Sequence, residues 1–184
     1  MIAPDLKNKR VAVVGNAQSI MDYNFGEEID SHDFVIRINR AMNHFDVNEK
    51  YDAHVGKRTD MWCVWNIDEY ESCNLDAEYI IQMASWHGCR TRTDILFYSI
   101  PEIFDLIKRS GIDNPSTGMM LLDWLSLGGV TSVDIYGFDW KETPTWTDVN
   151  REIDVRINHD FEAEKKYCRD IFINKHGYVF KGNI

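Results

Sequence analysis

His159 is the residue in this sequence best suited to acid–base chemistry, because an unperturbed imidazole has a pKa of about 6.5 and can take up a proton at neutral pH. Glu164 follows five residues later in the segment HDFEAE. The alternative is ordinary: a histidine at a helix start is usually solvated, and a glutamate there stabilises the helix or pairs with a lysine. His159 is therefore a candidate base, and the ordinary roles of both residues stay open at this point.

Two segments have the composition of phosphate or ribose contacts. The first is Gly15-Asn16-Ala17-Gln18-Ser19, in which short polar side chains follow a buried strand. The second is Asn114-Pro115-Ser116-Thr117-Gly118, where proline fixes the approach, the hydroxyls can cap a helix, and glycine allows a close backbone approach. A polar turn and a plain N-cap are the respective structural alternatives. Both segments are candidate nucleotide-binding loops.

A third polar group consists of Arg37, Asn39 and Arg40 at the end of the run FVIRI. An arginine at this position could bind an anion, although a surface ion pair is the commoner role.

Several common cofactor patterns are missing from the sequence. It has neither the GxGxxG fingerprint nor a Walker P-loop, and it has no HExxH or DxD triplet. We therefore expect no metal and no other cofactor.

The elements that must position these residues alternate between strands and helices. Short runs rich in β-branched and aromatic residues predict strands, namely Val11–Gly15, Phe34–Ile38, Met61–Trp65, Glu78–Met83, Asp94–Tyr98, Val133–Tyr136 and Tyr178–Phe180. Helices are predicted at Pro101–Ser110, Thr117–Leu127 and from His159 to about Phe172. This alternation indicates an α/β fold with a mostly parallel sheet flanked by helices. Ligands of such sheets bind at the carboxyl ends of strands, here after Gly15, Ile38 and Tyr136.

Length and charge narrow the possible functions. The chain has 184 residues and no linker-like segment, which favours one domain over residues 1–184. Its net charge of −10 argues against nucleic acid as a partner. We find neither a signal peptide nor a transmembrane segment, and the four cysteines lack pairing or metal-ligand spacing. We therefore expect reduced thiols and a cytoplasmic location.

Taken in order, three stretches resemble the motifs of the eukaryotic-type sialyltransferases, glycosyltransferase family 29. The stretch from VAVVGNAQSI through HDFVIRINRA to VGKRT looks like the family's large motif. Residues 115–139, from PSTGMM to YGFD, are similar to the small motif, and HDFEAE is similar to the very small motif. The middle of the chain, about residues 60–113, carries no motif.

The resemblance implies a Rossmann-like, GT-A-related domain and a metal-independent, inverting glycosyltransferase. The donor would be CMP-linked sialic acid or a related ulosonic acid such as Kdo, and the acceptor a glycan hydroxyl. His159 would be the general base. Nucleotide-binding positions would be Asn16, Ser19, Asn39, Ser116, Thr117 and Gly118. Supporting positions would be Gly15, Arg37, Gly137 and Glu164, and Trp140 or Trp146 would contact the acceptor.

The sequence also departs from the family pattern. The animal enzymes join the large and small motifs by a disulfide, whereas the matching positions here are Val11 and Val130. The family's histidine or tyrosine between the small and very small motifs is replaced by Thr143-Pro144-Thr145-Trp146-Thr147-Asp148, where Arg151 or Arg156 could substitute. The absence of an anchor, a stem and long insertions suggests a microbial or viral source.

Three other functions stay open at this stage. A CMP- or nucleotide-sugar-binding protein with degenerate or no transferase activity would explain the missing ring side chain. A Rossmann-type methyltransferase would need a glycine-rich first loop and an acidic residue after the second strand, which Gly15-Asn16 and Arg37-Asn39 do not provide. A tryptophan-rich interaction module is the third possibility, given six tryptophans.

Overall fold

The computed structural model describes residues 2–42, 51–67, 77–84, 93–146 and 159–182. Within these ranges the strands are β1 (Arg10–Val14), β2 (Phe34–Ile38), β3 (Met61–Val64), β4 (Tyr79–Gln82), β5 (Leu96–Phe97), β6 (Ser132–Tyr136) and β7 (Val179–Lys181). The helices are α1 (Gly26–Asp30), α2 (Asp52–Val55), α3 (Ile100–Ser110), α4 (Thr117–Leu127) and α5 (Phe161–Tyr167). Short 3-10 helices cover Gln18–Asp22 and Asn39–Met42, and a π-helix, Cys168–Ile173, continues α5.

The strands form one parallel sheet in the order β5-β4-β3-β2-β1-β6-β7. The chain steps outward from β1 to β5 and then returns to place β6 on the other side of β1. Val11 therefore pairs with Phe34 on one side and with Val133 on the other. This arrangement confirms the predicted α/β class and creates a switch in strand order between β1 and β6, the kind of position where such sheets bind ligands.

The alternation of side chains along β1 explains why the sheet needs helices on both faces. Val11 and Val13 belong to the larger core, which includes buried residues of α3, α4 and the π-helix. Ala12 and Val14 belong to the smaller core on the opposite face, with residues of α1 and α2. A strand buried on both faces reads as a continuous apolar run, as VAVVG does.

Local capping sets the helix boundaries. Ser99 and Glu102 form a capping box at the start of α3, and Gly111 ends that helix with a φ of 71°. The prediction that a helix begins at His159 was wrong. Asp160 is the N-cap of α5, because its carboxylate accepts a hydrogen bond from the Ala163 N–H at 3.0 Å. His159 therefore precedes the helix.

The two outer strands are shorter than, or shifted from, their predicted ranges. β5 has two residues, Leu96–Phe97, and pairs with β4 alone. β7 begins one residue later than expected, at Val179. Tyr178, just before it, is a core residue whose hydroxyl donates to the Val130 carbonyl at 3.0 Å. Edge strands have one neighbour, so their lengths depend on pairing rather than on composition.

Two cysteines of the described ranges, Cys63 and Cys168, are buried free thiols. Cys73 and Cys89 lie outside those ranges. None of the helices that the structure describes has the length and apolarity needed to cross a bilayer. The cytoplasmic location stays a prediction.

A polar cluster around the buried His32 joins α1 to the sheet. His32 Nδ1 donates to the Glu28 carbonyl at 2.9 Å, and His32 Nε2 contacts the Asp134 carboxylate at 3.1 Å. Lys181 pairs with both the Glu28 and the Asp134 carboxylates, at 2.8 and 3.4 Å. The hydrogen bond to Asp134 raises the pKa of His32 above its ordinary value, against the opposing effect of burial.

We expect this histidine to make stability depend on pH. Because folding raises the pKa of His32, its contribution to the free energy of unfolding is fully present below about pH 6.5, the unfolded value, and is lost as the pH rises through the folded value. Urea unfolding of the wild type and of His32→Gln should therefore differ most at acidic pH. The difference should shrink above neutrality. A difference that is constant over this range would contradict the ion pair with Asp134.

Candidate functional site

A pocket opens at the carboxyl ends of β1, β2 and β6 and at the amino end of α4. Its cavity volume is about 210 Å³. It is lined by Gly15, Asn16, Ala17, Ile38, Asn39, Ser116, Thr117, Gly118, Met119, Gly137, Phe138, Asp139, Trp140, Lys141, His159, Phe161 and Glu164. The pocket therefore lies at the switch in strand order.

Most residues singled out from the sequence are brought together here, although they come from distant parts of the chain. Those that line the pocket are His159, Asn16, Asn39, Ser116, Thr117, Gly118, Gly15, Gly137, Glu164 and Trp140. Those that do not are Ser19, Arg37 and Trp146. The roles assigned to the residues that line the pocket stay predictions.

Asn16 presents an unsatisfied acceptor. Its side-chain oxygen is buried and has no hydrogen-bond partner among the described residues. Its backbone carbonyl already accepts a hydrogen bond from the backbone N–H of Trp146 at 3.0 Å. A buried acceptor without a partner is costly, so this oxygen is suited to a ligand that donates a hydroxyl or amine hydrogen.

Asn39 is held rigidly at the end of β2. Its backbone has a φ of 47°, in the left-handed region, where asparagine is more tolerant than most residues. Its side-chain oxygen accepts from the Trp65 N–H at 2.9 Å, and its carbonyl accepts from Trp62 Nε1 at 2.7 Å. These bonds leave the side-chain NH₂ of Asn39 as the group able to donate to a ligand.

The floor of the pocket depends on three glycines. A Cβ on Gly15 would lie 2.5 Å from the Gly137 carbonyl oxygen, and Gly137 itself has a φ of 65°. A Cβ on Gly118 would lie 2.7 Å from the edge of the Phe138 ring. The ends of β1 and β6 and the start of α4 therefore approach one another more closely than larger residues would allow.

Ser116 and Glu164 join the start of α4 to α5. Glu164 is buried, and its carboxylate accepts from both the N–H and the hydroxyl of Ser116, each at 2.6 Å. The Ser116 oxygen also caps α4 by accepting from the Met119 N–H at 3.3 Å. Because both Ser116 donors are used in this way, the Thr117 and Gly118 N–H groups of the first turn are the ones available to a ligand.

His159 is oriented by a backbone carbonyl. Its Nδ1 lies 2.7 Å from the Asn114 oxygen, and because a carbonyl only accepts, Nδ1 carries the hydrogen of the neutral ring. Nε2 is then the basic nitrogen. Burial lowers the pKa of His159, the bond to Asn114 opposes that shift, and the charge of Lys141 lowers it further. The neutral, proton-accepting form is favoured.

Asp139 organises the loop after β6, which explains why Ser19 does not line the pocket. The Asp139 carboxylate is buried and accepts from the Ser19 hydroxyl at 3.1 Å and from the Thr143 N–H at 3.0 Å. The Thr143 hydroxyl also donates to it. Ser19 thus fixes the neighbouring loop instead of facing a ligand, which corrects its predicted position at the nucleotide.

The expectation that Arg37 supports ligand binding does not fit its position. Its side chain is completely buried, and its guanidinium donates to the Val55 carbonyl at 2.7 Å, the Arg58 carbonyl at 3.1 Å and the Thr59 hydroxyl at 3.0 Å. Arg37 therefore stabilises the segment between α2 and β3. Burial lowers its pKa to about 10, so it remains charged at neutral pH.

The two candidate acceptor tryptophans differ. Trp146 is 2% exposed, and its Nε1 donates to the Gly15 carbonyl at 3.3 Å, so it is a core residue and not an acceptor contact. Trp140 lines the pocket and stacks on Phe180 with ring centroids 5.4 Å apart. Of the stretch between the small and very small motifs, Thr147 and Asp148 lie outside the described residues, as do Arg151 and Arg156.

Sequence reasoning missed several lining residues, among them Phe138, Asp139 and Lys141. Phe138 and Asp139 fall within the YGFD turn that carries the small-motif resemblance, so that match could have identified them. Lys141 follows two positions after this turn, outside any motif.

Fold and site together define a class: a parallel α/β protein with a pocket of polar side chains and helix amides at its strand-order switch, as in nucleotide-binding folds. Residues 3–74 match the family model of glycosyltransferase family 29 (sialyltransferase). The mouse CMP-N-acetylneuraminate-beta-galactosamide-alpha-2,3-sialyltransferase 1 is 31% identical over 165 residues, which cover 75% of this chain and 47% of the mouse protein. The chain therefore spans about half the length of the curated relatives it matches.

Solved sialyltransferase structures share the fold of this chain. A crystal structure of a mammalian sialyltransferase in complex with Gal-beta-1-3GalNAc-ortho-nitrophenol has a TM-score of 0.68 and 24% identity, covering 95% of this chain and 70% of that one. The sialyltransferase CstII from Campylobacter jejuni, in complex with the substrate analogue CMP-3FNeuAc, has a TM-score of 0.58 and 10% identity over 88% of this chain and 78% of that one. The chain shares the sialyltransferase fold, and residues 3–74 are similar in sequence to glycosyltransferase family 29. These relatives do not support the expected microbial or viral source.

We expect Gly15→Ala to destabilise the protein more than Gly118→Ala. The new methyl group at residue 15 would meet the backbone oxygen of Gly137, which cannot move independently, whereas at residue 118 it would meet the Phe138 ring, which can turn. Overpacking of this kind costs about 1–3 kcal/mol. Urea unfolding of both variants gives the comparison, and equal losses would contradict the close backbone approach.

Burial raises the pKa of Glu164 to about 7. The hydrogen bonds from Ser116 oppose this rise, and the negative charge of Asp160 adds to it. Ser116→Ala should therefore raise this pKa further, and Asp160→Asn, which keeps a capping side chain, should lower it. A ¹³C NMR titration of the Glu164 carboxyl measures both shifts. If neither variant changed the titration, the carboxyl would not have the surroundings described.

Proposed function

We propose that this chain is an inverting glycosyltransferase that transfers sialic acid or a related ulosonic acid from a CMP-activated donor to a glycan hydroxyl, with His159 as general base. The carrying observation is the hydrogen bond from His159 Nδ1 to the Asn114 carbonyl at 2.7 Å in a pocket that also contains Asn16 and the start of α4. The relationship to family 29 supports the donor class.

The proposed base needs the correct tautomer and a suitable pKa. With its hydrogen on Nδ1, the neutral ring keeps the Nε2 lone pair for the acceptor proton. Its lowered pKa means that the base form is already present near neutral pH. A general base of this kind typically contributes about 10²–10⁴-fold to the rate.

Donor binding would use neutral groups around the nucleotide. The buried Asn16 oxygen can accept from a ribose hydroxyl or the cytosine amine, and the Asn39 NH₂ can donate to an oxygen. The Thr117 and Gly118 N–H groups at the positive end of α4 suit a single phosphate. We propose on this basis that the transfer is metal-independent, since CMP leaves with one phosphate and not two.

The reaction would be one displacement. The acceptor oxygen forms a bond to the anomeric carbon while its proton passes to His159 Nε2. The bond between that carbon and the phosphate oxygen breaks, and CMP departs with the electron pair. Attack from the face opposite the leaving group inverts the configuration.

An acceptor sugar would pack on Trp140, whose ring lines the pocket and is supported by Phe180. Sugars present apolar C–H faces that suit an indole ring. We also propose that residues 1–184 act as one domain, since both ends of the chain contribute to the pocket and to the sheet.

The test combines binding and turnover. Calorimetric titration with CMP in EDTA should show binding by the wild type and by His159→Asn, which removes the base but leaves the nucleotide contacts. CMP release from CMP-sialic acid or CMP-Kdo should fall by about 10²–10⁴-fold in His159→Asn. In the wild type, the rate should rise with pH through the lowered pKa of His159 and level off near neutrality, because the base must be neutral.

His176→Gln is the matched control, because this histidine also has a pKa lowered by burial but does not line the pocket. It should release CMP at the wild-type rate. If the protein bound CMP but showed no CMP release that depends on His159, it would more simply be a nucleotide-sugar-binding protein with degenerate or no transferase activity. Absence of CMP binding would contradict the proposed donor.

A further inference from the structure

The proposed donor is negatively charged, and so are the chain and two side chains of the candidate site. A CMP-linked acidic sugar carries a negative phosphodiester and a negative carboxylate, and the whole chain has a net charge of −10. Two of the pocket's own side chains, Asp139 and Glu164, are acidic. Helix amides supply partial charge but no full positive charge. A donor with two anionic groups would be bound more strongly if the pocket placed a cation close to its phosphate, in addition to the helix amides.

Lys141 is the only lysine or arginine among the described residues that line the pocket. Arg37, a fully buried cation near the end of β2, donates to carbonyl groups between α2 and β3 and does not line the pocket. No arginine of the described ranges contributes to the lining.

The backbone at Lys141 is fixed in an uncommon conformation. Trp140 and Lys141 have φ values of 51° and 65°, a region that residues other than glycine adopt infrequently. The Lys141 N–H donates to the buried carboxylate of Asp139 at 3.1 Å, and that carboxylate also holds Thr143 and Ser19. Strained residues of this kind persist where their surroundings hold them, and they are concentrated at ligand-binding sites.

The charge of Lys141 also reaches the proposed base. It contributes to the lowered pKa of His159, which means that the ammonium and the imidazole share one electrostatic environment. A cation near the base and near the start of α4 is close to where the leaving phosphate would gain charge.

We propose that Lys141 binds the phosphate of the CMP-linked donor and stabilises it as it leaves. This inference rests on the proposed function and adds a residue to it. Lys141 would act in place of the histidine or tyrosine that the sialyltransferase pattern has between the small and very small motifs.

The experiment compares two lysines and two ligands. Lys141→Gln removes the cation from the pocket. Lys165→Gln is the matched control: its ammonium lies 5.4 Å from the centroid of the Trp140 ring and pairs with Glu142 at 2.8 Å, but it does not line the pocket. Each variant is titrated by calorimetry in EDTA with CMP and with cytidine, which lacks the phosphate, and circular dichroism checks that both variants are folded.

Lys141→Gln should weaken CMP binding by about 10- to 100-fold, the usual effect of losing one charged hydrogen bond, and leave cytidine binding unchanged. Lys141→Arg should restore most of the loss, and Lys165→Gln should bind both ligands as the wild type does. Equal CMP affinity in Lys141→Gln and wild type would overturn the proposal while leaving the proposed function intact. An equal loss for cytidine would also overturn it, because the lysine would then only shape the pocket. Failure of the wild type to bind CMP would overturn both.

Discussion

The buried contact between Glu164 and Ser116 is the interaction on which the candidate site depends. The two residues are 48 positions apart, and their paired 2.6 Å hydrogen bonds fix the start of α4 against α5. Because Asp160 caps α5, the residue just before it, His159, is brought beside the Asn114 carbonyl that precedes α4. A single carboxyl group therefore sets the relative positions of the helix amides and the imidazole. Its desolvation is the cost of this arrangement, and the hydrogen bonds from Ser116 offset part of that cost.

Much of the fold could be predicted from short sequence patterns. The run VAVVG predicts β1 because a strand buried on both faces needs apolar residues at every position, and both cores indeed meet at this strand. Capping residues located α3 and α4 within a residue. The beginning of α5 was missed because Asn158 and Asp160 are both good N-cap residues by type, and the hydrogen bond that Asp160 accepts from the Ala163 N–H distinguishes it. The two-residue β5 depends on its pairing with β4, which composition does not encode.

The candidate site could be predicted at the positions where the backbone allows only one residue type. Gly15, Gly118 and Gly137 stand where chains approach too closely for a Cβ, so their type is informative. Charged and aromatic side chains were less predictable, because sequence does not reveal which way they turn. Arg37 turned inward to carbonyl groups, and Trp146 turned into the core. Lys141 lines the pocket from the loop that Asp139 organises, and this loop is tied to Ser19, 120 positions away in the sequence, which a local pattern does not reveal.

The order of strands in the sheet also has a consequence for biosynthesis. β1 is central, but its second neighbour, β6, is separated from it by residues 15–131. While the chain emerges from the ribosome, β1 can pair with β2 early, yet its other edge has no native partner until β6 has been made. An apolar strand with one open edge is a template for pairing with other chains. The nascent protein thus passes through a period of vulnerability to self-association, which ends when β6 closes the sheet and, in the same event, completes the floor of the pocket.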